Sequence, residues 1–235
     1  MKIMNTMTLL AAGTCAMIAA SGAQAGMVYW NMGTASPASN NIVNLTVGDL
    51  TQGNNNGTTP MISTSSASSV YTFDLNGTST SASGTSNAGA SARVGALATG
   101  ASGSAYFQFT LTAGTGYSGS LTAIGFGTRS TGTGPASFTL RSSADGYASD
   151  LAAATGSNTT WSYKTASLVT AASLVEGATV TFRLYGYGGA GSPVAGIANW
   201  RIDDMTVTAT TTAVPAPGAI ALLGVAGLVG SRRRR

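Results

Sequence analysis

Apolar side chains recur at every second position in four short segments of the second half of this 235-residue chain. Phe107, Phe109 and Leu111 alternate with Tyr106, Gln108 and Thr110. Ile124 and Phe126 share a face within 122–128. Phe138 and Leu140 oppose Thr139 and Arg141. Val180, Phe182 and Leu184 oppose Thr181, Arg183, Tyr185 and Tyr187. A period of two means a strand with one buried and one wet face, and it fits no helix of period 3.6. A fifth segment keeps the rule only with an extra residue. Trp200 and Ile202 share a face with Met205 and Val207 if a β-bulge falls at Asp203-Asp204.

Turn-forming residues separate these segments. The chain holds 32 glycines, 34 threonines and 28 serines. Thr and aromatic residues favour strands, whereas Gly, Ser and Asn favour the turns between them. In the first half, 27–30 and 41–47 read as strands. A third, 70–75, ends at Asn76-Gly77, a hairpin signal. Residues 78–91, rich in Ser, Ala and Gly, read as a mobile loop, with a disordered linker as the alternative. Residues 149–154 read as a helix or an irregular piece. The spacing predicts about eight to ten short antiparallel strands over 26–212, an all-β, jelly-roll-like sandwich.

The two ends differ from this body. Lys2 is followed by an apolar stretch and the small-x-small triplet Ala23-Gln24-Ala25. That is the pattern of a secretory signal over 1–25, cut by signal peptidase after Ala25. Cys15, the single cysteine, falls inside it. The mature chain would then carry no thiol, and its stability outside the cytoplasm would rest on packing alone. At the other end, 213–235, Val214-Pro215-Ala216-Pro217 precedes a twelve-residue apolar run, and Arg232, Arg233, Arg234 and Arg235 close the chain. The prolines stop a preceding strand and hold the backbone extended. Twelve residues rise about 18 Å as a helix against a lipid core of roughly 30 Å, which makes a thin anchor. The arginines hold that end on the cytoplasmic side and place the body beyond the inner membrane.

This order of proline motif, apolar helix and arginine cluster resembles the PEP-CTERM sorting signal over about the last 22 residues. Ala216 stands where that family usually has Glu. The resemblance implies processing by an exosortase near Pro215-Ala216-Pro217. It also implies a transient membrane anchor, then release or attachment at the cell surface or in the extracellular matrix, often beside exopolysaccharide. The second half is similar to a recurrent domain of such proteins and to jelly-roll modules of the galactose-binding and lectin-like kind. The segments carrying that likeness are 138–147, 180–187 and 200–207. It implies a β-sandwich without a settled ligand.

The absence of histidine excludes a Ser-His-Asp triad, a His-ligated zinc and a His general base. A glycosidase needs two converging carboxylates; Asp145 or Asp150 with Asp203 or Asp204 are the candidates. Asp203 and Asp204 are also the candidate calcium ligands, with a hydrogen-bonded bulge as the alternative. No other cofactor is expected. Arg183, Tyr185 and Tyr187 fall on one face opposite Phe182 and Leu184 and form a candidate platform for a sugar ring. The bland alternative is a sheet face packed under a loop at 188–198. Thr-x-Thr pairs occur at Thr110/Thr112, Thr131/Thr133, Thr206/Thr208 and Thr208/Thr210, at irregular intervals; regular ladders of this kind would suit ice. The sequence therefore favours a non-catalytic structural or adhesive protein with weak carbohydrate contact. A carbohydrate-active enzyme and an ice-binding protein are the alternatives.

The formal charge of +4 first suggests nucleic acid as a partner. Five of the eleven basic residues, however, are Lys2 and the four terminal arginines. The remaining six face seven acids, so the body is nearly neutral and carries no basic-aromatic cluster. Nucleic acid falls away as a partner.

Overall fold

The computed structural model describes residues 22–156, 159–191, 194 and 196–215. The segment 1–21 with Cys15 lies outside the described residues, as do Ala216, Pro217 and Arg232, Arg233, Arg234 and Arg235.

The strands run in chain order as β1 (Gln24–Trp30), β2 (Ser39–Asn40), β3 (Leu45–Val47), β4 (Thr51–Gly53), β5 (Ile62–Ser63), β6 (Thr72–Leu75), β7 (Thr78–Ser81) and β8 (Asn87–Ala90). They continue as β9 (Tyr106–Ala113), β10 (Tyr117–Ser130), β11 (Ser137–Ser142), β12 (Ala152–Thr155), β13 (Ser162–Leu174), β14 (Thr179–Tyr187) and β15 (Trp200–Ala213). Sheet A has the order β13-β10-β15-β1-β2, with β8 added to β15 and β5 to β8. Sheet B has the order β12-β11-β14-β9-β3, with β4 also paired to β9. β6 and β7 form a separate hairpin.

The alternating segments become these strands because each has one apolar face to bury. β9 alternates without a break, with Phe107, Phe109 and Leu111 buried and Tyr106, Gln108 and Thr110 half-buried. The inward faces of the two sheets meet ring on ring. Trp30 of sheet A packs on Phe109 of sheet B at 5.4 Å. Trp200 of sheet A packs on Phe107 at 4.7 Å and on Phe138 at 5.6 Å. Phe126 meets Phe138 edge to face at 5.7 Å. Each such ring contributes about 1.5–3 kcal/mol when fully buried. The body is thus an antiparallel β-sandwich, and β9, β10 and β11, then β13, β14 and β15, alternate between its two sheets.

The bulge falls where the pattern requires it. Gly125 pairs with Thr206 and Gly127 with Asp203, so Phe126 alone faces both Asp204 and Met205. Asp204 takes a left-handed φ of 47°. Trp200, Ile202, Met205 and Val207 are all fully buried in consequence.

Four segments depart from the sequence reading. Residues 41–47 are not one strand: Asn44, at φ 58°, turns the chain from β2 in sheet A to β3 in sheet B. Residues 78–91 are not a loop: they supply β7 and β8, and Asn87, Ala88, Ala90 and Ser91 are buried. Their small side chains let the backbone lie close against β15, so burial needs no large apolar residue there. Residues 149–154 lead into β12, with a single 3₁₀ turn earlier at Ser143–Asp145. The long edge strand β13 carries no clear alternation and was not foreseen.

A second aromatic layer covers the outer face of sheet A. Tyr71, Phe73 and Trp161 are buried there, with Tyr29 and Tyr163 partly buried beside them. Tyr163 stacks on Phe73 at 5.1 Å. Gly125 and Gly127 make the layer fit: a Cβ at either would collide with the Tyr163 or Tyr71 hydroxyl.

Candidate functional site

The outer face of sheet B gathers the Arg183 group. Arg183 on β14 is the register partner of Gln108 on β9 and of Arg141 on β11. Its guanidinium lies 4.3 Å from the Tyr106 ring centroid and 4.0 Å from that of Tyr147. The cation therefore lies over two aromatic rings, a favourable arrangement for a planar guanidinium. Arg183 Nε donates to Gln108 Oε1 at 3.0 Å, and Nη1 donates to the Tyr185 hydroxyl at 3.4 Å.

The loop carrying Tyr147 is built for its position. Tyr147 adopts φ 64° and donates its amide to the Ser142 carbonyl. Asp145 accepts hydrogen bonds from the Ala148 and Ser149 amides. Arg141 pairs with Asp150 at 2.6 Å and donates to the Tyr147 carbonyl at 2.9 Å. Arg141 thus has its counter-charge, while Arg183 relies on rings and neutral acceptors.

The expected open row of Arg183, Tyr185 and Tyr187 is not formed. Tyr185 is fully buried. Tyr106, directly opposite on β9, packs edge-on against it at 5.2 Å. Burial pushes the Tyr185 hydroxyl pKa up. Arg183, Tyr187, Tyr106 and Tyr147 remain partly exposed. Sequence reasoning missed Tyr106 and Tyr147. Tyr106 was readable as an outward residue of β9, but its neighbour on β14 depends on a register set 79 positions away. Nothing local marks Tyr147 as a partner of Arg183.

Asp203 and Asp204 lie under the aromatic layer of sheet A, both fully buried. Asp204 Oδ1 accepts from the Tyr29 hydroxyl at 2.6 Å. Its Oδ2 accepts from the Tyr71 hydroxyl at 2.7 Å and the Ser83 amide at 2.9 Å. Asp203 Oδ1 accepts from the Asp204 amide, and its Oδ2 from Ser83 Oγ at 3.2 Å. Burial raises both tyrosine hydroxyls far above their ordinary pKa, so they stay protonated donors. Burial also pushes the Asp203 carboxyl up to about 7. All four carboxylate oxygens accept from protein donors, whereas calcium takes six to eight oxygen ligands that must be free to point at it. Arg201, close to the pair in sequence, is engaged with Asn87 and Ser65, and Arg183 with its rings.

The carboxylates considered for glycoside hydrolysis are not brought together. Asp145 and Asp150 belong to the loop over sheet B, Asp203 and Asp204 to the outer side of sheet A. The Thr-x-Thr pairs also divide. Thr110 and Thr112 lie on β9 of sheet B, and Thr206, Thr208 and Thr210 on β15 of sheet A. Thr131 and Thr133 follow β10 in a turn.

No family model matches the chain, and neither does any curated protein. Among solved structures, the chain is similar to the K1 cleaved adhesin domain of Lys-gingipain from Porphyromonas gingivalis W83, at 10% identity and a TM-score of 0.37, covering 77% of this chain and 96% of that one. It is also similar to a family 11 carbohydrate-binding module from Clostridium thermocellum, solved with a β-1,3-1,4-mixed-linked tetrasaccharide, at 9% identity and a TM-score of 0.29, covering 77% of this chain and 95% of that one.

Proposed function

We propose that the chain is an exported protein of the cell surface or extracellular matrix whose jelly-roll-like sandwich contacts polysaccharide without catalysing a reaction on it. Export and sorting rest on the two sequence signals, with signal peptidase and an exosortase as the processing enzymes and the tail as a transient anchor. Two features of the body agree with cutting at both ends. Ala23, Gln24 and Ala25 are exposed and the first fully buried side chain of β1 is Val28, so cleavage after Ala25 removes nothing from the core. β15 ends at Ala213, and Val214 is 41% exposed, so a cut near Pro215 would remove no core side chain of the body.

The polysaccharide part is carried by one observation: the stack of Tyr147, Arg183 and Tyr106, held by hydrogen bonds on the outer face of sheet B. Fixed aromatic surface beside a fixed donor suits a sugar ring, which offers apolar C–H faces and hydroxyl edges. Because the stack is already ordered, binding costs little side-chain entropy. Electrophoresis of the full chain through gels containing soluble neutral polysaccharides tests this. A matching polysaccharide retards the wild type, and Tyr147→Ala restores free mobility with an unchanged circular dichroism spectrum. Equal retardation of both chains excludes this face.

A further inference from the structure

Two arginines face each other on the outer side of sheet A. Arg129 on β10 and Arg201 on β15 are direct register partners. With Ser130, Thr131, Thr159 and Asn199 they line a cleft of about 320 Å³. Like charges directly opposite across a strand pair destabilise a sheet. No described acidic side chain lines the cleft to offset them. Asp203, two residues beyond Arg201, has its carboxylate oxygens on Ser83 and the Asp204 amide. Arg201 is held in place by neutral acceptors, donating to Asn87 Oδ1 at 2.6 Å and Ser65 Oγ at 3.1 Å. Burial first, and then Arg129, lower its pKa, as expected for a cation lacking counter-charge. The Arg129 guanidinium has no ion pair or hydrogen bond among the described residues. Ser130 is 4% exposed, and its Oγ has no partner there either. A buried polar atom left unmatched is uncommon in a folded chain.

We propose that this cleft is a subsite for a carboxylate-bearing sugar, a uronate unit of an acidic polysaccharide. Two guanidinium groups present planar donor sets to a planar oxyanion. The rest of the lining combines hydroxyls and the Asn199 amide with the Ile197 and Ala198 side chains, which suits the hydroxyl edges and apolar C–H faces of a sugar ring. The volume is at the lower end of the range for small-ligand sites, about 300–1,000 Å³, which suits one ring or two. Only the choice of a sugar as carrier rests on the polysaccharide reading above, and the cleft lies on the other sheet from Tyr147.

Isothermal titration calorimetry of the full chain with triglucuronate, a neutral glucose trisaccharide and inorganic phosphate tests the proposal. Triglucuronate binds, and more weakly as salt rises. Arg129→Ala, which breaks no side-chain hydrogen bond among the described residues, weakens it about tenfold or more, while Arg129→Lys retains part of the affinity. Tyr147→Ala leaves it unchanged. Equal affinity in Arg129→Ala, or equal binding of the neutral trisaccharide, overturns the subsite. Phosphate binding as tightly as triglucuronate overturns its assignment to a sugar. The two readings fail separately: gel retardation that does not depend on Tyr147, with intact triglucuronate binding, removes the sheet B face alone, and the reverse removes the cleft alone.

Discussion

The Tyr71 hydroxyl donates to the Asp204 carboxylate at 2.7 Å across 133 positions of sequence. This bond ties the outer aromatic layer to the bulge of β15, and Tyr29 and the Ser83 amide converge on the same carboxylate. Removing one donor from a buried acceptor costs about 1–3 kcal/mol. Because Asp204 keeps two other donors, Tyr71→Phe is expected near the lower end, about 1–2 kcal/mol, in urea unfolding. An unchanged midpoint would show that the bond adds nothing to the fold.

Asp203 makes stability depend on pH. Its folded pKa is raised from 3.8 to about 7 by burial. The folded state therefore holds a proton that the unfolded state has released between those values. Stability from this group is full below about pH 4 and is lost as pH rises towards 7. Over about three units the change is on the order of 2–4 kcal/mol. Asp203→Asn keeps an acceptor and removes the titration, so its melting temperature should fall less than that of the wild type between pH 4 and pH 8. Parallel pH profiles for the two chains would contradict this.

Gly127 is glycine because Tyr71 lies on it. The same holds for Gly125 beneath Tyr163. Gly127→Ala forces the Tyr71 ring outward and should cost about 1–3 kcal/mol. Acrylamide quenching should increase, since Trp161 belongs to the same layer while Trp30 and Trp200 stay in the core. Unaltered quenching would mean that the layer does not depend on this contact.

Chelation of divalent cations should leave the melting temperature unchanged. Every carboxylate oxygen of Asp203 and Asp204 already accepts a hydrogen bond from the protein. A fall on adding EDTA that calcium reverses would restore the calcium reading of this pair.

The sandwich was legible wherever large apolar residues alternate. Phe107, Phe109 and Leu111, or Phe182 and Leu184, announce their buried face by sequence alone. The bulge at Asp203-Asp204 was legible for the same reason, because the apolar phase of Trp200 and Ile202 breaks before Met205 and Val207. β8 was not legible, because Ala88, Gly89 and Ala90 carry no alternating signal and are buried only by contact with β15. The candidate site was half legible. Strand geometry put Arg183 and Tyr185 on one face, but whether that face is open depends on Tyr106, which long-range register sets opposite Tyr185. The Arg129–Arg201 pair is hidden in the same way, since neither residue has a local partner that marks it.

The proposed polysaccharide contact runs through the ordered stack of Tyr147, Arg183 and Tyr106 on sheet B. A glycan array probed with the full chain and with Tyr147→Ala, each with and without calcium, tests it most directly. The wild type should retain a defined set of glycans, the same set with or without calcium, and the variant should lose the Tyr147-dependent members. No retained glycan, or an identical set for both chains, would contradict it.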